Sequence, residues 1–151
     1  VSTPEAGGPY TITFDDGTPK TLNNILIGEL WLCSGQSNME MPMKGFKNQP
    51  VENANMDILR SKNPHIRLFT VKRTSTITPQ NDVVGSWKEA APVSVRDFSA
   101  TAYYFGRLVN EILDVPVGLV VAAWGGSACE AWMTADWLKA FPEEPYSDRA
   151  L

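Results

Sequence analysis

Two short stretches place a serine beside glycines in a pattern suited to acyl transfer: Gly35-Gln36-Ser37-Asn38 and Trp124-Gly125-Gly126-Ser127. Each follows an apolar run and opens a segment of helical character. A hydroxyl at a helix start stands where unpaired N–H groups favour developing negative charge, as an acyl-transfer nucleophile requires. Its own N–H can help form an oxyanion hole. A glycine N–H from a neighbouring turn can supply a second donor with no Cβ in the way. Both stretches also have a purely structural reading. Ser37-Asn38-Met39-Glu40 has the S-x-x-E spacing of a capping box, and the second glycine pair can simply permit positive φ in a turn. Neither matches a phosphate loop: no G-x-x-x-x-G-K-[ST] is present, nor a G-x-G-x-x-G opening a helix, so a nucleotide site is not expected.

Both turns need a scaffold that brings them to one place. Glu29 to Ser34, Glu-Leu-Trp-Leu-Cys-Ser, is nearly continuously apolar and reads as a strand buried on both faces of a parallel sheet. Ile66 to Val71 and Val117 to Ala123 are two more such candidates. Between them, Val51, Ala54, Ile58 and Leu59 share one side of a helix over 51–61 that stops before Asn63-Pro64. A second helix starts at Asp97 or Ser99 and carries Ala102, Phe105, Leu108, Val109 and Ile112 at three- and four-residue steps to Asp114. Residues 72–95 read as a long irregular loop, and residues 128–141 as one or two short helices. Alternating strands and helices predict a doubly wound α/β sheet, in which ligands bind outside the carboxyl ends of the strands. Both glycine turns lie at such ends. Tyr10–Phe14 and Lys20–Ile27 flank an Asp15-Asp16-Gly17 turn and read as a hairpin, which is marginal alone and so is expected to be the edge of something larger.

Composition removes several classes of function. With 151 residues, 43% of them hydrophobic, the chain is about one domain long, and no apolar run is long enough to span a bilayer. The 13 basic residues are scattered and the net charge is −4, so no nucleic-acid partner and no membrane partner is expected. Cys33 and Cys129 are too few and too far apart for a zinc site or a disulfide scaffold, and both are expected to be buried thiols.

Longer segments carry a family resemblance. Gly-Glu-Leu-Trp-Leu-Cys-Ser-Gly-Gln-Ser-Asn-Met-Glu-Met-Pro from Gly28, Asn63 to Val71, Asp97 to Leu108, and Pro116 to Met133 resemble, in order, the sialate O-acetylesterase family of SGNH (GDSL-like) hydrolases. The resemblance covers roughly residues 9 to 138. It implies a flavodoxin-like three-layer α/β/α SGNH fold, incomplete here, over 29–151, preceded in 1–28 by the last strands of a β-sandwich. It implies a serine esterase that removes acetyl groups from sugars through an acyl-enzyme, O-acetylated sialic acid first and acetylxylan-type polysaccharides as the alternative. No metal or organic cofactor is implied, and a secreted or periplasmic location is. Position by position, Ser37 matches the nucleophile and an oxyanion donor. Gly126 matches the second donor, with Gly125 as the alternative. Gln36, Asn38, Glu130 and Trp132 are the candidate substrate-binding residues.

The resemblance then stops short. A later Q-G-E block and a D-x-x-H supplying base and carboxylate have no counterpart in the 151 residues. The single histidine, His65, follows Pro64 at a strand start, at the opposite end of the sheet from Ser37, and Lys62 occupies the position three before it. It is therefore expected to be a solvated strand-entry residue. A continuation of the chain, or a second chain, is expected to complete the sheet and bring the base. A non-catalytic carbohydrate-binding relative of the fold is the alternative from another class. Trp87, Trp132 and Trp137 suit a sugar face but are expected in the core, and the sequence does not pair Arg67, Arg96 or Arg107 with any particular carboxylate.

Overall fold

A computed structural model describes residues 2–76 and 78–141. Its elements run β1 (Gly7–Phe14), β2 (Lys20–Ile27), β3 (Glu29–Gly35), α1 (Ser37–Glu40), α2 (Ala54–Leu59), β4 (Asn63–Thr70), β5 (Trp87–Ala90), α3 (Pro92–Val95), α4 (Ala100–Leu113), β6 (Val117–Ala123), a 3-10 turn (Cys129–Trp132) and α5 (Ala135–Leu138). β1 and β2 pair antiparallel as a separate two-stranded sheet, and the main sheet has the order β3-β6-β4-β5. β3, β6 and β4 are parallel, with Glu29 and Ile66 both level with Val117. β5 is antiparallel to β4.

The central strand β6 alternates Val117, Leu119 and Val121 onto the buried face, where Ile66, Leu68 and Cys33 join them. α4 covers that face. Its N-cap is Ser99, whose hydroxyl accepts from the Ala102 N–H at 3.1 Å. The face it buries keeps Ala102 and Val109 of the expected set and turns the other three outward. Ala100, Ala102, Tyr103 and Gly106 are buried, while Phe105, Leu108 and Ile112 are exposed. Large apolar residues at helical spacing left two adjacent stripes to choose from, and the small residues, not Leu108 and Ile112, let the helix settle on the sheet. Phe105 instead meets Trp31 of β3 edge-on, with centroids 5.0 Å apart at 80°.

Among the described residues β3 is an edge strand, not a strand buried on both faces. Leu30 and Leu32 are 68% and 70% exposed on the face away from α4. On that face Asn24 of the hairpin accepts from Arg67 at 2.8 Å, and the loop at Gly85 lies against the Phe69 ring. The 72–95 stretch is not all irregular. Trp87–Ala90 pairs with β4, and Pro92–Val95 forms a turn of helix with Pro92 at its start. α2 is shorter than expected and leaves Leu59 exposed, although Ala54 is buried and Val51 and Ile58 pack on the core. The thiols divide as well. Cys33 is buried, and burial raises its pKa, whereas Cys129 is exposed. Tryptophans expected in the core are largely exposed: Trp87, which packs on Phe69, at 49%, and Trp137 at 68%. No helix among the described residues is long and apolar enough to cross a membrane.

Candidate active site

The register of β3 with β6 decides where the two glycine turns meet. Gly35 is level with Ala123, and the ladder's next bond runs from the Trp124 N–H to the Gly35 carbonyl at 3.0 Å. Both chains therefore leave the sheet side by side at its carboxyl end. Gln36 donates its side-chain amide to the Ser127 carbonyl at 3.3 Å, a tie between the two turns. Ser127 in turn donates its hydroxyl to the Trp124 carbonyl at 2.7 Å and accepts from the Trp132 indole N–H at 2.9 Å. A 3-10 turn thus holds Trp132 against the second glycine turn, with the residue 47% exposed.

Ser37 is exposed at the first position of α1, a helix of a single turn. Gln36 is the N-cap, and no side chain caps it. The capping-box reading of Ser37-Asn38-Met39-Glu40 fails here, because Glu40 does not return to its own N-terminus. Its Oε2 accepts from the Gly125 N–H, 85 residues away, at 2.6 Å. Its other oxygen pairs with Arg73, whose guanidinium lies 5.8 Å from the centre of the Trp124 ring. Among the described residues, no hydrogen bond engages the Ser37 hydroxyl, the Ser37 N–H or the Gly126 N–H.

The segment after Ser37 is fastened to the start of α4. Thr101 donates its hydroxyl to the Asn38 carbonyl at 3.0 Å, Ala100 N–H bonds Met41, and Met43 N–H bonds Phe98, with Met43 fully buried. Ser37 thereby sits on a loop pinned at both ends, by β3 before it and by α4 after it. Gly125 lies against this loop so closely that a Cβ there would overlap Glu40 Oε2 and stand 3.3 Å from Ser37 Oγ. Gly126 adopts φ +78°, a conformation that favours glycine, with open space around it.

Five of the candidate residues, Gln36, Ser37, Asn38, Gly125 and Gly126, gather at this end of the sheet. Trp132 joins them through Ser127, and Glu130 lies half-buried in the same 3-10 turn. His65 does not. It is exposed in β4 before Ile66, which is level with Val117, and the strand from Val117 to Ala123 spans about 20 Å. Residues missed by sequence reasoning are Glu40 as a partner of Gly125, and Arg73 and Trp124 behind it. Only the positions of Glu40 and Arg73 flanking two strand ends hinted at them. A cleft of about 650 Å³ opens beside the pair, lined by Glu40, Arg73, Lys44, Lys47, Lys72 and Asp97 among others. Lys44 is bound to Asp97 at 2.5 Å, and Lys44 holds that carboxyl below its ordinary range. Among the described residues, no three His, Cys, Asp or Glu side chains converge to hold a metal ion.

Comparison with known proteins adds to this geometry. The family model for carbohydrate esterases described as sialic acid-specific acetylesterases matches residues 27–148. The chain is 32% identical to a sialate O-acetylesterase of Rattus norvegicus over 147 residues, 89% of this chain and 26% of that protein. It is 29% identical to the Homo sapiens sialate O-acetylesterase over 147 residues, 89% of this chain and 27% of that protein. The chain thus spans about a quarter of the length of these curated relatives. A crystal structure of a carbohydrate acetylesterase from Xanthomonas citri superposes with a TM-score of 0.83 at 33% identity, covering 92% of this chain and 31% of that one.

Proposed function

The chain belongs to the sialic acid-specific acetylesterase family of carbohydrate esterases, and from that premise we propose that it supplies the nucleophile and oxyanion hole of an enzyme removing O-acetyl groups from sugars, with O-acetylated sialic acid as substrate. The observation that carries this is the unengaged Ser37 hydroxyl set against the Gly125-Gly126 turn. Ser37 Oγ attacks the acetyl carbonyl, and the carbonyl oxygen takes the charge between the N–H groups of Ser37 and Gly126. Collapse breaks the bond to the sugar oxygen, which takes the proton given up by the Ser37 hydroxyl, and leaves acetyl-Ser37. Water then adds to the acyl group, and acetate departs with the serine proton restored. Asn38, exposed beside the nucleophile, and the Trp132 ring are positioned to meet the sugar, while Gln36 and Glu130 border the same opening.

The base is brought by polypeptide other than the described residues, a continuation of the chain or a second chain, since His65 lies at the far end of the sheet. The same polypeptide would cover Leu30 and Leu32 and pair the edge of β3 that is open among the described residues. A location outside the cytoplasm fits a glycan substrate.

The test is acetate release by the full-length protein from O-acetylated sialic acid and from acetylated xylan. Ser37→Ala is expected to lower release by at least about a thousandfold, with sialic acid the better substrate. Wild-type release by Ser37→Ala sinks the nucleophile assignment, and preference for xylan sinks the substrate. The 151-residue chain alone is expected to leave p-nitrophenyl acetate intact, because it holds no imidazole within reach of Ser37.

A further inference from the structure

We infer that Glu40 is a positioning residue for the oxyanion-binding turn and that Arg73 neutralises it there. The inference rests on the reading of Ser37 as nucleophile. Two successive N–H groups, those of Gly125 and Gly126, leave the end of β6 near the nucleophile, and only one can be aimed at the reacting oxygen without competition. Glu40 engages the first at 2.6 Å, a short charge-assisted bond. That bond fixes the Gly125 peptide and leaves the next N–H, on Gly126, without a partner among the described residues.

Distance makes the coupling tight. Carboxylate, glycine and nucleophile are packed so that no Cβ fits between them, with Ser37 Oγ itself 3.3 Å from where that atom would be. Movement of Glu40 therefore moves the turn relative to Ser37, and a displacement of about 1 Å costs about a hundredfold in rate. Carboxylate charge this close to a developing oxyanion would oppose it. Arg73 removes that opposition by pairing with Glu40, whose side chain is only 17% exposed, and by resting on the ring of Trp124, the residue before the turn. The clamp joins three segments: the turn after β3, the turn after β6 and the loop after β4.

The test uses the full-length protein with p-nitrophenyl acetate as probe, measuring kcat and KM separately. Glu40→Ala is expected to lower kcat about 10- to 100-fold with KM within about twofold, since the oxyanion contact strengthens only in the transition state. Glu40→Gln, which keeps an acceptor for the Gly125 N–H, is expected to recover most of that loss. Arg73→Ala is expected to lower kcat about tenfold in the wild-type background and less than about twofold in the Glu40→Gln background, where no charge needs neutralising. A purely structural clamp would lower the melting temperature without this kcat and KM split. Unchanged kcat in Glu40→Ala, or an equal Arg73→Ala loss in both backgrounds, overturns the inference. Where Glu40→Ala fails to fold, the Glu40→Gln and Arg73→Ala cycle decides alone. Retained activity in Ser37→Ala overturns the nucleophile reading instead, so the two failures are distinct.

Discussion

The same three kinds of chemical group meet twice in this molecule, with different results. Asp57 of α2 accepts from Arg107 at 2.8 Å and from the Tyr104 hydroxyl at 2.7 Å, and the Arg107 guanidinium lies 5.1 Å from the Tyr104 ring. Glu40, Arg73 and Trp124 repeat the set of carboxylate, guanidinium and aromatic ring. In the first cluster both carboxylate oxygens bind side chains of α4, and the product is a weld between two helices. In the second, one oxygen binds the backbone N–H of Gly125, and the product is a turn held in register with a nucleophile. What separates a structural ion pair from a site is the group the second oxygen holds, not the pair itself.

Substitutions can break that contrast in either direction. The largest effect is expected at Gly125→Ala. The added Cβ meets Glu40 and crowds Ser37 Oγ, so kcat/KM should fall by about a hundredfold or more, with the unfolding midpoint little changed. Acetate release and thermal unfolding of the same preparation check it, and wild-type kcat/KM would show that the turn tolerates movement. Asp57→Asn should do the converse. It removes the charge facing Arg107 and is expected to lower stability by about 1 kcal/mol while leaving kcat and KM unchanged, as read by denaturant unfolding and steady-state kinetics. A kcat loss there would join the two clusters functionally.

The smallest effect is the share of the pH dependence of stability that the helix weld contributes. Hydrogen bonds from Arg107 first and Tyr104 second hold the Asp57 carboxyl below its ordinary value of 3.8. Its contribution is therefore present above pH 3.8 and is lost as pH falls through the lowered folded value. At the other limb, burial first and the bond to Asp57 second push the Tyr104 hydroxyl up from 10.0 to about 12. That contribution is complete below pH 10 and is lost as pH rises toward 12. Unfolding measured across pH should show both losses, and Asp57→Asn should reduce the acid one, leaving the part owed to Asp97 beside Lys44. An acid limb that persists unchanged in the variant would place its origin elsewhere.

Much of the scaffold is legible along the chain because its signals are local. The apolar runs at 29–34 and 117–123 become β3 and β6, the Ser99 cap opens α4, and the glycine turns fall at strand ends. The errors share one physical origin, which is that a residue's neighbours across space are not its neighbours in sequence. The apolar run of β3 suits burial on both faces, yet Leu30 and Leu32 face outward because no described element lies over them. The stripe on α4 has two apolar candidates, and sheet packing selects the one with small residues. β5 is short and polar in part, so only pairing with β4 identifies it. S-x-x-E is equally a local pattern, and it points Glu40 at the wrong N–H.

By itself the sequence determined that a serine and a glycine pair would stand at the ends of two parallel strands, and that this chain carries no histidine near that serine. Those features follow from residue types within a few positions of one another. Tertiary structure decided that β3 and β6 are adjacent and in register, that Gly125 rather than the N-terminus of α1 receives the Glu40 carboxylate, and that Arg73 and Trp124 close around it. Each of those contacts joins residues far apart in the chain, and only the folded sheet brings them within hydrogen-bonding distance.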